Sequence, residues 1–150
     1  MPRTVRDVVS ALAAAYPPHT AQSWDAVGLV CGDPQAQVKH VLLAVDPVEA
    51  VVVEAEQRGA DLIVVHHPLL LRGIHTVAAD TPKGRVLHRL IRSGIALYAA
   101  HTNADAAQDG VNDALADLLG LQHTRPLEPL PPVEQATLVT YVPAEHLDVV

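Results

Sequence analysis

The chain has 150 residues, a formal net charge of −7 and 49% hydrophobic side chains, enough for one domain with a substantial core. Only 3% of the residues are aromatic and Phe is absent, so Val, Leu, Ile and Ala must fill that core, which suits helices packed on a Val/Ile-rich sheet. The acidic balance argues against a non-specific grip on nucleic acid or on an anionic membrane. The single Cys31 excludes an internal disulfide and fits a reducing compartment. No stretch approaches the roughly 20 apolar residues that a spanning helix needs. The N-terminus leads straight into an amphipathic pattern and not into a signal-type apolar region. The expectation is a cytoplasmic protein with no membrane partner.

Val5, Val8, Val9, Leu12 and Tyr16 recur at helical spacing. Thr4 with Asp7 three residues on resembles a capping box, and Pro17-Pro18 stops the helix. Residues 27–30 read as a short strand closed by Gly32-Asp33-Pro34, and residues 41–45 as a second strand. Asp46-Pro47-Val48-Glu49 then predicts a helix start with Asp46 as N-cap and Pro47 at the first helical position. Gly59 ends that helix, and residues 61–65 are the next strand.

His66-His67-Pro68 opens a loop that runs through Gly73. Thr81-Pro82 starts another helix, with Val86, Leu87, Leu90 and Ile91 as its apolar stripe and Gly94 as its end. Arg85, Arg89 and Arg92 on that helix read as a solvated face rather than a basic patch. Residues 95–99 form a strand. Asp109 is expected to cap a final helix over residues 111–119, ended by Gly120.

Residues 40–120 therefore alternate strand and helix, which predicts a mainly parallel sheet with helices on both faces. The strand ends share one rim of such a sheet, where open α/β folds bind ligands. Residues 1–124 are expected to form this α/β domain. Residues 125–136 read as a proline-rich linker. Residues 137–150, a strand-like run and half a helix, look like the truncated start of a second, small α/β domain.

Two clusters land on the rim: His66-His67 after one strand and His101-Thr102-Asn103-Ala104-Asp105 after another. Imidazole and carboxylate are ligands that Zn, Mn, Fe, Co and Ni accept. Neighbouring histidines on a regular strand would face opposite ways, so they serve one site only if the chain turns out of the strand there. Pro68 favours this by holding His67 extended. Each histidine could then bind a different ion, with Asp105 bridging the two. Paired ions about 3.5–4 Å apart generate hydroxide near neutral pH. His101 and Asn103 are read as groups that orient ligands or bind substrate. A single strand-end histidine is ordinarily a solvated surface residue, and the juxtaposition of three candidate ligands is what raises this one. Gly28 and Gly32 make no dinucleotide fingerprint, and no P-loop or nucleophile elbow is present.

Ser23-Trp24-Asp25-Ala26-Val27-Gly28-Leu29, Gly32-Asp33-Pro34, the stretch from Gly59 to Leu69 around His66-His67-Pro68, the stretch from Tyr98 to Asp105, and Gly110-Val111-Asn112-Asp113-Ala114-Leu115-Ala116 occur in order. Together they resemble the Nif3-like family, whose bacterial members are often labelled GTP cyclohydrolase I type 2 homologues. The resemblance covers roughly residues 1–121 and implies a protein with two divalent metal ions that assembles as a toroidal homohexamer. It matches His66, His67 and Asp105 to the family's N-terminal metal ligands. The family's remaining ligands, a His and a Glu, lie near the C-terminus and have no counterpart here. Ala26 departs from the Asn that commonly follows Trp-Asp. The start of an inserted small domain in longer members resembles residues 137–147. The implied function is a metal-dependent hydrolase acting on a small-molecule or nucleotide substrate, by GTP cyclohydrolase-like or phosphoester chemistry. The alternative is a non-catalytic regulatory or scaffold ring that binds metal.

Overall fold

A computed structural model describes residues 2–129. Its elements are β1 (Arg3–Thr4), α1 (Val5–Ala15), a 3-10 turn at Pro18–Thr20, β2 (Gly28–Cys31), β3 (Gln37–Val38), β4 (Val41–Ala44), α2 (Glu49–Arg58), β5 (Leu62–Val65), α3 (Pro82–Ser93), β6 (Ala96–Ala99), α4 (Thr102–Ala106) and α5 (Val111–Leu118). The last residues of the expected linker, 130–136, and the expected start of a second domain, 137–150, lie outside the described residues.

The main sheet has the order β2-β6-β5-β4. β4, β5 and β6 run parallel in register, Leu62 beside Val41 and Ala96. Each crossover is one helix, as the alternation of strand and helix dictates. Side chains alternate across the sheet. Ile63, Val65, Leu97 and Ala99 pack under α2 and α3 with Val52, Ala55, Val86, Leu87 and Leu90. Leu62, Val64, Ala96 and Tyr98 pack on the other face against Val5, Val8, Val9 and Leu12 of α1 and Tyr16 at its end. Helices thus cover both faces, and β5 and β6 are the most deeply buried strands.

Helix ends follow local chemistry. Thr4 Oγ1 accepts from the Asp7 N–H at 3.3 Å, and the Asp7 carboxylate accepts from the Thr4 N–H at 2.8 Å. Gly59 and Gly94 close α2 and α3 at φ of 62° and 67°, a region where a side chain would be strained.

The sheet is mainly parallel, as expected, and β2 runs antiparallel to β6, so the start of β2 reaches the rim of the parallel strands: Gly28 pairs with Ala99. Three expectations need correction. Asp46 does not cap α2. The Val48 N–H donates to the Asp46 carbonyl in a tight turn, and the helix begins at Glu49 with Val48 as its cap. This leaves Pro47 outside the helix and frees the Asp46 carboxylate. Asp109 does not cap α5 either: it takes φ 56°, and Gly110 is the cap. Nor is Arg89 merely a solvated charge: partly exposed, it also grips the Glu56 carboxylate of α2 through Nε at 2.9 and 3.0 Å and through a terminal nitrogen at 2.7 Å.

Candidate metal centre

The parallel register brings the two histidine clusters together. The backbone of His66 and His67 stays tied to the end of β4, through N–H bonds to the Ala44 carbonyl (3.2 Å) and the Val45 carbonyl (2.9 Å). β5 itself ends at Val65, so the pleat no longer forces the two side chains apart. The rings of His66 and His67 lie with centroids 5.0 Å apart, tilted by 48°. Ala100 continues from β6 and donates to the Val65 carbonyl at 2.9 Å, which sets His101 beside them. The His101 ring centroid is 5.0 Å from that of His66 and 5.6 Å from that of His67. One ring nitrogen from each of the three histidines lies within 4.8 Å of the other two.

Each imidazole is held through its Nδ1. His66 Nδ1 is 3.0 Å from the Ala100 carbonyl oxygen. His67 Nδ1 is 2.8 Å from Asp46 Oδ1, and His101 Nδ1 is 3.0 Å from Asp25 Oδ1. A carbonyl or carboxylate can only accept, so each Nδ1 carries the proton. In a neutral ring so held, Nε2 is the nitrogen that keeps a lone pair. Carboxylate or carbonyl behind imidazole is the arrangement that fixes the tautomer and direction of metal-binding histidines. The residues present therefore fit a divalent ion by their own donor chemistry.

Asp105 sits on α4, which starts directly after His101. Its Oδ1 lies 3.7 Å from His66 Nε2, and it is not one of the three mutually close donors. Asn103 is fully buried. Its Oδ1 accepts from the His101 N–H at 2.9 Å, and its amide nitrogen donates to the Tyr16 carbonyl at 2.8 Å, so both ends of the amide are spent inside the fold. His19, His40, His75, His88 and His123 are not part of the cluster.

Asp25 is the residue that sequence reasoning missed. Its side chain is completely covered. It accepts from His101 Nδ1, from the Thr102 N–H at 3.0 Å, from the Thr102 hydroxyl through a short hydrogen bond, and from the Ala26 N–H at 2.7 Å. Burial pushes its carboxyl upward. The hydrogen bonds from Thr102, His101 and Ala26 outweigh that and hold it at about 2, below the ordinary 3.8. Asp46 was likewise assigned elsewhere. Asp25 lies just before β2, and only the antiparallel pairing of β2 with β6 brings it to the rim.

The sequence profile described as Duf34/NIF3 (NGG1p interacting factor 3) matches residues 3–147. Relatives called GTP cyclohydrolase 1 type 2 homolog include one from Mycobacterium tuberculosis, 54% identical over 145 residues, and one from Streptomyces coelicolor, 58% identical over 131 residues. These alignments cover 96% and 87% of this chain but 38% and 46% of the relatives, so the chain spans less than half of their length. A Bacillus cereus protein related to NIF3 has a similar fold, with TM-score 0.82 and 41% identity over 87% of this chain and 36% of that one. Profile, relatives and fold agree: the chain belongs to the Duf34/NIF3 family.

Proposed function

We propose that this chain contributes ligands to a divalent-metal centre and that its function is that of a metal-dependent hydrolase. One observation supports this above all others: three imidazoles, each with its Nδ1 hydrogen-bonded, bring one ring nitrogen apiece within 4.8 Å of one another. His66, His67 and Asp105 are the ligands we assign, as the family resemblance implies. The geometry adds His101, whose ring has the same kind of support from Asp25. Asn103 positions His101 through its backbone.

Zn, Fe, Mn, Co or Ni would suit this donor set, and a pair of such ions supplies Lewis acidity and hydroxide near neutral pH. The chain's own part is to hold the donors. Asp25 and Asp46 fix two rings, and the Ala100 carbonyl fixes the third. The substrate class we favour is a nucleotide or other small molecule with a hydrolysable C–N or phosphoester bond, in line with the relatives' name. Self-association into a hexameric ring belongs to the same proposal. A non-catalytic metal-binding scaffold is the competing function, and turnover by a full-length relative across a nucleotide and phosphoester panel separates the two.

Elemental analysis after dialysis against Zn²⁺ or Ni²⁺ should find bound ion, and His66→Ala with Asp105→Ala should reduce it. Metal retained by the double variant at the wild-type level overturns the ligand assignment.

A further inference from the structure

Trp24 is the sole tryptophan in a chain with three tyrosines and no phenylalanine. It is 57% exposed, yet it is not on a loose surface loop. The Asp25 N–H donates to the Gln22 carbonyl at 2.9 Å, closing a turn around it. The Gln22 N–H donates to Thr102 Oγ1 at 3.0 Å, and that same hydroxyl donates to Asp25. The residues flanking Trp24 are thus fastened to α4 beside the histidine cluster. Its indole packs edgewise on the His101 ring, centroids 6.1 Å apart and planes at 77°. Exposure alone would mean little, since Leu43 and Leu118 are more exposed. What distinguishes Trp24 is an open aromatic surface, on an anchored turn, in contact with a histidine of the candidate centre.

We propose that Trp24 is the platform on which a planar heteroaromatic ring of the substrate stacks, placing the attached group over the histidine cluster. This deepens the hydrolase proposal and rests on it for the direction in which the ring presents its substituent. Indole is the best side chain for such a task. It stacks on any π face, and its loop is ordered before the ligand arrives, so little freedom is lost on binding. Trp24 acts on substrate position and specificity, and no bond-making step is assigned to it.

The lone tryptophan makes its own fluorescence the assay. The protein, with and without Ni²⁺, is titrated with GMP and with ribose 5-phosphate, which carries the same sugar phosphate and no ring. The expected result is saturable quenching by GMP only, and binding of GMP tighter than that of ribose 5-phosphate by about 5- to 100-fold. In calorimetry Trp24→Ala should erase that ratio, with ribose 5-phosphate affinity and Ni²⁺ content unchanged. Trp24→Phe should restore part of it. Equal affinity for the two ligands in the wild type, or an undiminished preference for GMP in Trp24→Ala, overturns the platform. Loss of Ni²⁺ from Trp24→Ala also overturns it, because the indole would then be a support for His101. Failure of the wild type to hold Ni²⁺ counts against the metal centre alone, since the ring-dependent quenching is read without metal as well.

Discussion

Asp25 and Asp46 stand behind two imidazoles but in different settings. Asp25 is covered and receives four hydrogen bonds, whereas the Asp46 side chain is 58% exposed and serves His67 alone. Removing the charge at each should therefore differ in effect. Asp25→Asn is expected to weaken Zn²⁺ or Ni²⁺ binding by about 10- to 100-fold, the usual cost of losing a carboxylate behind a ligating histidine. Asp46→Asn should cost less, because water can replace an exposed acceptor. Calorimetric titration of both variants checks the ranking, and equal affinities would remove Asp25 from the site. At this scale the sequence was legible where chemistry is local. The adjacent pair His66-His67 and the cluster from His101 to Asp105 declare themselves by type and spacing. Asp25 does not, because it lies 76 residues before the ring it holds. No periodicity carries that distance.

The elements were readable where their ends are marked by local hydrogen bonding. The Thr4 and Asp7 box, Gly59 and Gly94 all mark ends that local rules identify. Asp46 misled because Asp-Pro is equally suited to a turn ahead of a helix, and the turn prevailed. The pairing of α2 with α3 was also hidden, since Arg89 and Glu56 are 33 residues apart. Arg89 and Ser93 both donate to the Glu56 carboxylate, and together they hold it at about 2 against an ordinary 4.5, with burial opposing and the Arg89 charge assisting. A carboxyl lowered on folding stabilises the folded state fully above about pH 4.5, and this contribution fades as pH falls through about 2. Glu56→Gln should accordingly reduce stability at neutral pH and flatten the loss of stability between those two values. Urea midpoints followed by circular dichroism from pH 7 to pH 2 measure it. An unchanged acid limb would mean that the α2–α3 pair contributes nothing to folding.

At the scale of the whole molecule, the rim is where all four strands of the main sheet meet. The end of β4 leads to Asp46, β5 to His66 and His67, β6 to His101, and the start of β2 follows Asp25. A ligand held there would bridge segments that are remote in sequence, so its binding energy would add directly to folding stability. Ion at one hundred times its dissociation constant contributes about 2.7 kcal/mol. For a domain of this size that corresponds to a rise in Tm of roughly 5–15 °C. Zn²⁺ or Ni²⁺ should therefore raise the thermal midpoint in a concentration-dependent way, and a chelator should return it to the starting value. His101→Ala should shrink the shift, because it removes one of three convergent donors and the link between β6 and the Asp25 turn. A shift of equal size in His101→Ala would show that the ion stabilises the fold from somewhere other than this rim. The parallel strands that build the rim were foreseeable from alternating helices and apolar runs. The antiparallel β2 was not, because a four-residue, half-buried strand paired along one edge has no sequence mark of direction. It is β2 that brings Asp25 and Trp24 to the histidines, and so the least predictable strand completes the most chemically specific part of the molecule.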